Sequence, residues 1–278
     1  MSRIAEGARL RFVSFGVTME LICPDEAMLE RACEALPPHW QRADAAARAD
    51  VVLELSRPAD GPRRPTTLRV DGAVTVTALR VATVLDALET AVRAEVGRRA
   101  PDVLFVHAGV VAVDGMAILL PGRSGSGKTS LVEALLKAGA QYGSDDYAAI
   151  DRRGMVHPYP RRLSIRQGPD RRHRARPEDV AAAATLSEAL PVGLIVVTEY
   201  REGASWAPTR LSSGQAAMAL LHNTLAARDR PLDALAMLAK ATERATALAG
   251  PRGPATDSAL QILAASRAAR STLSSSKQ

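Results

Sequence analysis

Aromatic side chains are scarce in this chain of 278 residues. Phe, Trp and Tyr together make up 3% of it, so any core must be built from Ala, Val and Leu. Cysteine is scarcer still: Cys23 and Cys33 are too few for a disulfide framework and lack metal-ligand spacing, which points to buried thiols in a reducing cytoplasm. No apolar run approaches the roughly 20 residues that a membrane-crossing helix needs, and the mixed, charged N-terminus has no signal-peptide stretch. No internal repeat is present. What remains is an ordinary globular balance of 47% apolar and 24% charged residues, which excludes wholesale disorder. The length allows one large domain or two small ones.

The formal net charge of +6 is local in origin. Between Arg152 and Arg176 stand nine arginines and one acid, Asp170, and the rest of the chain is close to neutral, with 27 basic and 29 acidic residues. Such a cluster receives phosphates, carboxylates or an acidic peptide, or is simply a solvated loop. No aromatics are interleaved for base stacking, which argues against nucleic acid.

The first hundred residues alternate strand and helix patterns. Strands are expected over Leu10–Phe15, Val17–Ile22, Val51–Leu55, Thr67–Val70 and Val74–Thr77, the last two joined by the hairpin turn Asp71-Gly72. Helices are expected over Asp25–Leu36 and Val81–Arg98, and no chemical constellation is evident in this region. Further on, the patterns predict a short helix at 177–189, a buried strand at Val192–Thr198, helices at 213–227, 232–248 and Thr256–Ala269, and a disordered tail over 269–278.

The informative stretch begins at Val103. Gly122-Arg123-Ser124-Gly125-Ser126-Gly127-Lys128-Thr129 fits the phosphate-loop pattern G-x-x-x-x-G-K-[ST], with an apolar run before it and a helical run after it. Glycines let successive amides converge on phosphate oxygens, and the helix N-terminus adds its dipole. Lys128 supplies a mobile charge, the Thr129 hydroxyl can ligate Mg²⁺, and Ser130 completes the nucleotide-binding stretch. The four fixed positions recur by chance in roughly one chain per hundred of this size, and the strand-loop-helix context makes the match more specific.

Asp114-Gly115 signals a two-residue hairpin between Val103–Val113 and Met116–Leu120. If Val113 pairs with Met116, His107 falls opposite Gly122, which places an imidazole at the mouth of the loop. It can carry a proton, tune a carboxylate or merely satisfy backbone groups. A βαβ-like return then brings Asp145 and Asp146 to the same end of the sheet. Adjacent strand side chains point to opposite faces, so both acids serve one site only if the strand bends, which Gly143-Ser144 permits. One acid can then hold Mg²⁺ while the other accepts a proton; two solvated turn acids are the alternative.

These residues, His107-Ala-Gly, Gly122–Thr129 and Ser144-Asp145-Asp146, resemble the C-terminal catalytic domain of HPr serine kinases. The spacings of 21 from histidine to lysine and 17 from lysine to the first aspartate look like that family's. The likeness covers about 103–157 and is looser through the C-terminal third. It implies an α/β fold of the HPr-kinase and phosphoenolpyruvate-carboxykinase-like P-loop type over 101–268, with a mixed sheet followed by C-terminal helices. A smaller α+β region over 1–100 precedes it.

The resemblance also implies roles. Lys128 would contact the phosphates of ATP, Thr129 and Asp145 would serve Mg²⁺, Asp146 would be the general base, and His107 would modulate it. The family's Glu-x-Arg-Gly signature, which serves the reverse reaction, is replaced here by Arg161-Arg-Leu-Ser-Ile-Arg166. The expectation is therefore a cytoplasmic, Mg·ATP-dependent kinase acting on a Ser or Thr hydroxyl of a protein or peptide. Arg161, Arg162 and Arg166 would dock the acceptor, with Arg252 a further candidate. Neither membrane nor nucleic acid is expected as a partner, and homo-oligomerisation is left open. A nucleotide-binding regulator without transfer, or a kinase of a small hydroxy compound, stands as the alternative.

Overall fold

Alternating burial marks β1 (Ala8–Ser14) and β2 (Val17–Cys23) as strands with one covered face. They open the first of two units, Met1–Asp102, in a computed structural model that describes residues 7–58, 64–123, 125–166 and 172–275. This unit continues through α1 (Glu26–Cys33), β3 (Gln41–Arg42), β4 (Val51–Ser56), β5 (Thr66–Val70), β6 (Ala73–Ala78) and α2 (Val81–Arg99). Its mixed sheet has the order β3-β1-β2-β4-β5-β6, with only β2 and β4 parallel. Leu10, Phe12, Met19, Leu21, Leu53 and Leu68 form its buried face. Cys23 is buried there, and burial pushes its thiol up to about 12.

The second unit, Val103–Gln278, holds every residue of the candidate site. It begins with β7 (Val103–Val113), where every position is buried except His107. The hairpin turn follows, with Asp114 and Gly115 both at positive φ, the geometry that a two-residue connection requires. Then come β8 (Met116–Pro121), α3 (Lys128–Lys137), β9 (Gln141–Ser144), β10 (Tyr147–Asp151), β11 (Met155–His157), β12 (Leu163–Arg166) and β13 (Arg172–Ala175). The remainder is α4 (Pro177–Val180), β14 (Leu190–Val197), β15 (Thr209–Arg210), α5 (Ser213–Leu221), α6 (Pro231–Thr242), β16 (Thr246–Ala249) and α7 (Ala255–Ser275).

The main sheet is mixed, in the order β11-β10-β7-β8-β14-β16-β15. β9 also pairs with β7, and β11 reaches round to β14. Alternation along β7 and β8 splits the core in two. Leu104, Val106, Ala108, Ala117 and Leu119 pack with α5 and α6 on one face. Val111, Val113, Ile118 and Leu120 pack with α3 and α7 on the other. By the same alternation His107 belongs to the α3 face.

Several expected elements take another form. The stretch expected as a helix at 177–189 is helical only over Pro177–Val180. Beyond it the chain is held extended, because Tyr142 N donates to Ala184 O and Leu186 N donates to Tyr142 O. The helix expected at 213–227 ends at Leu221, since the chain then runs beside β7, with His107 N donating to Asn223 O and Leu225 N to Phe105 O. The helix expected at 232–248 stops at Thr242, and Thr246–Ala249 becomes a strand parallel to β14. In each case pairing with a distant strand outweighs local helix propensity. Helix α7, by contrast, runs on to Ser275 past the expected end at Ala269, for no Gly or Pro interrupts it; residues 276–278 lie outside the described residues.

Candidate functional site

The β7–β8 hairpin sets the site's register. Val113 pairs with Met116 and Ala108 with Pro121, and Gly122 N donates to His107 O at 3.2 Å. The imidazole thus stands beside the first residue of the glycine loop, where the hairpin arithmetic put it. Its backbone is fixed from the other side as well, through His107 N and Asn223 O at 2.7 Å.

The loop itself requires left-handed backbone. Gly125 and Gly127 have φ of 88° and 86°, and a Cβ at Gly127 would lie 2.6 Å from Arg252 Nη2. Helix α3 begins directly after Gly127 without a side-chain cap. Its first-turn amides, which have no intrahelical acceptors, are therefore available to an anion. Lys128 is buried and folds back on the loop, its Nζ donating to Gly122 O at 2.6 Å and Arg123 O at 3.0 Å. Burial lowers its pKa, with Asp146 and Asp145 pulling the other way. Arg123 and Ser130 are exposed, Ser126 is half-buried, and Ser124 lies outside the described residues.

Asp145 and Asp146 occupy the break between β9 and β10, two strands that both pair with β7. The β7–β9 register slips between Val110 and Val111, opposite Gly143. Ser144 Oγ then accepts from Asp146 N at 3.2 Å and Tyr147 N at 3.1 Å. The bend that the sequence required is made by this bulge and this hydroxyl together.

Within the break the two acids divide their contacts. Asp145 is 6% exposed, and its Oδ2 accepts from Thr129 Oγ1 at 3.4 Å and Ser164 N at 3.3 Å. Tyr142 Oη stands 3.4 Å from its Oδ1. Burial pushes the Asp145 carboxyl up from 3.8 to about 6, against hydrogen bonds from Ser164 and Thr129 that favour the charge. Asp146 Oδ1 lies 3.3 Å from His107 Nε2, and its Oδ2 accepts from Arg161 Nη1 at 2.7 Å. One acid thus faces the opening of α3, and the other is held between an imidazole and a guanidinium.

The basic residues of this region do not all share one place. Arg161 belongs to the site itself, its carbonyl held by Tyr142 Oη at 2.9 Å. Arg162, next to it, is exposed, and the side chain of Arg166 lies outside the described residues. Arg252 departs from the expected docking surface. It is 2% exposed, lies behind the loop, and donates through Nη2 to Gly127 O at 2.9 Å and through Nη1 to Gly253 O at 3.0 Å. No carboxylate pairs with it among the described residues, its Nε has no partner, and burial lowers its pKa. It shares a small cleft with Leu120, Ser126, Lys128, Val196 and Thr198.

Two contributors had no sequence signal of their own: Tyr142 beneath Asp145 and the Ser164 amide. Each acts through a contact that only the folded sheet creates. Among the described residues no group of three or more His, Cys, Asp or Glu side chains could hold a metal ion by itself, and no helix is long and apolar enough to cross a membrane. No protein-family model and no curated protein matches the chain.

Proposed function

We propose that this protein is a Mg·ATP-dependent kinase that transfers the γ-phosphate to a hydroxyl, serine foremost, of a protein or peptide acceptor. One observation carries the reading. Two adjacent acids meet the opening of α3, one on Thr129 and the other on His107, across a loop whose amides and lysine suit a polyphosphate. The order of hairpin, glycine loop, helix and returning acidic strand supports a P-loop domain of the HPr-kinase-like type. A cytoplasmic location belongs to the same reading.

The residues fit a magnesium ion. Asp145 is a buried carboxylate with no ion-pair partner among the described residues, and a threonine hydroxyl stands beside it. One carboxylate and one hydroxyl make the sparse protein donor set that suits Mg²⁺ bound chiefly by phosphates and water. The ion would neutralise charge developing on the transferred group.

In the proposed step the acceptor Oγ–Pγ bond forms as the bond from Pγ to the β–γ bridging oxygen breaks, and ADP leaves. The hydroxyl proton passes to Asp146, which His107 and Arg161 orient from opposite sides. Lys128 swings from its loop carbonyls onto the phosphates, and the α3 amides hold them in place. Arg252 supports the loop from behind through the Gly127 carbonyl.

The test is incubation with Mg·ATP and serine-containing acceptors, drawn first from products of neighbouring genes, with phosphoserine detected by mass spectrometry. Lys128→Ala is expected to abolish nucleotide binding, and Asp146→Asn to preserve binding and stop transfer. An Asp146→Asn protein that loses ATP affinity as fully as Lys128→Ala contradicts the base role. Nucleotide binding with no phosphorylated acceptor favours a regulatory protein instead.

A further inference from the structure

The arginine cluster is only partly absorbed by the catalytic reading, yet its geometry ties it to the two acids. The stretch 161–164 touches both of them, since Arg161 Nη1 lies 2.7 Å from Asp146 Oδ2 and Ser164 N lies 3.3 Å from Asp145 Oδ2. The same stretch runs directly into the β12–β13 hairpin. Leu163 and Ala175, paired across that hairpin, are both buried, and Leu163 joins the core beneath α3. The hairpin is therefore anchored beside the site rather than trailing from it. Its register sets Arg174 directly across from Ser164 and Arg166 across from Arg172.

The outer surface of this anchored hairpin is basic. In sequence the stretch from Arg161 to Arg176 has seven arginines and one acid, Asp170; residues 167–171 and the side chains of Arg166 and Arg172 lie outside the described residues. Among the described side chains Arg162, His173, Arg174 and Arg176 are exposed. The nearest following acids are on α4, where Asp179 Oδ2 is engaged by Arg176 N. A basic surface that converges on a proton-accepting carboxylate disfavours a basic acceptor and attracts an acidic one.

We infer that the β12–β13 hairpin is the acceptor-docking surface and that it selects a peptide segment with Asp or Glu close to the target serine. The inference rests on the kinase reading and narrows its substrate class. Neighbouring strands lie about 4.8 Å apart and an extended peptide advances about 3.3 Å per residue. With the reach of an arginine side chain added, acids roughly two to four residues from the hydroxyl at Asp146 meet Arg174. Guanidinium–carboxylate pairing then supplies both affinity and register.

The test uses the full chain with Mg²⁺, a non-hydrolysable ATP analogue and fluorescein-labelled peptides of one serine flanked by either Glu or Gln. Anisotropy is expected to give at least tenfold tighter binding of the Glu peptide at low salt, with the advantage shrinking at high salt. Arg174→Glu with Arg176→Glu is expected to remove that advantage while the affinity for a fluorescent ATP analogue stays within twofold. The milder Arg174→Gln with Arg176→Gln, checked by thermal melting, gives an intermediate loss. Equal binding of the two peptides, a preference that survives charge reversal, or tighter binding of an oligonucleotide on the same surface overturns the inference. The two readings fail separately. Preferential binding of the Glu peptide with no transfer from ATP refutes the kinase and leaves the docking surface, whereas equal phosphorylation of both peptides refutes the docking surface alone.

Discussion

Asp145→Asn should make the ligand-free protein more stable at neutral pH while removing its use of magnesium. The Asp145 carboxyl is 6% exposed, and burial raises its pKa from 3.8 to about 6. A shift of roughly two units corresponds to about 3 kcal/mol, at about 1.4 kcal/mol per unit. Between pH 3.8 and about 6 the folded state keeps a proton that the unfolded state has released. The cost of the buried charge is therefore absent below about pH 4 and complete above about pH 7.

Asparagine mimics the protonated acid. Its oxygen can accept from Thr129 Oγ1 and Ser164 N, and its amide can donate to Tyr142 Oη, whose own proton goes to Arg161 O. The substitution is thus expected to stabilise the protein by about 2–3 kcal/mol at pH 7.5, or roughly 5–10 °C in Tm, and by little at pH 4. Denaturant unfolding across pH 4–8, with and without Mg²⁺ and ATP, measures it. The ligands should stabilise the native protein far more than the variant. Destabilisation at pH 7.5, or the same shift at every pH, refutes the reasoning.

Other substitutions separate the roles assigned above. Arg252→Met leaves the Gly127 and Gly253 carbonyls without their donor, so Tm should fall and ATP affinity should drop at least tenfold, and Arg252→Lys should recover part of both; calorimetry and thermal melting together decide it. Ser144→Ala strips the acceptor from two amides in the break that carries the acids. It should cost about 1 kcal/mol of stability and reduce transfer more than nucleotide binding, which kcat and a binding constant measured side by side will test. His107→Ala should lower kcat by about a hundredfold and alter the pH–rate profile with ATP affinity nearly unchanged; an unaltered profile would reduce His107 to a backbone position.

Local geometry made much of the site legible in the sequence. The Asp114-Gly115 turn fixed the hairpin register, and from it followed the contact of His107 with Gly122. The demand that the chain bend at Gly143-Ser144 followed from the alternation of strand side chains, and the bulge and the Ser144 hydroxyl supply the bend. What escaped the sequence depended on pairing between distant segments. Thr246–Ala249 read as the end of a helix until β14 took it as a parallel neighbour. Arg252 read as a further acceptor-docking candidate because nothing local records that Gly127 lies against it. Ser164 reaches Asp145 only because the chain returns to it after the acids, through a hairpin whose placement the arginine-rich composition did not disclose, and Tyr142 stands near it because β9 carries a bulge at Gly143.

The structure of the protein with Mg²⁺ and a non-hydrolysable ATP analogue tests the central claim most directly. The account predicts the phosphates against the 122–129 amides, with the metal between Thr129 and Asp145 and the terminal phosphorus facing Asp146 and His107. A triphosphate bound elsewhere, or one whose terminal phosphate points away from Asp146, would contradict it.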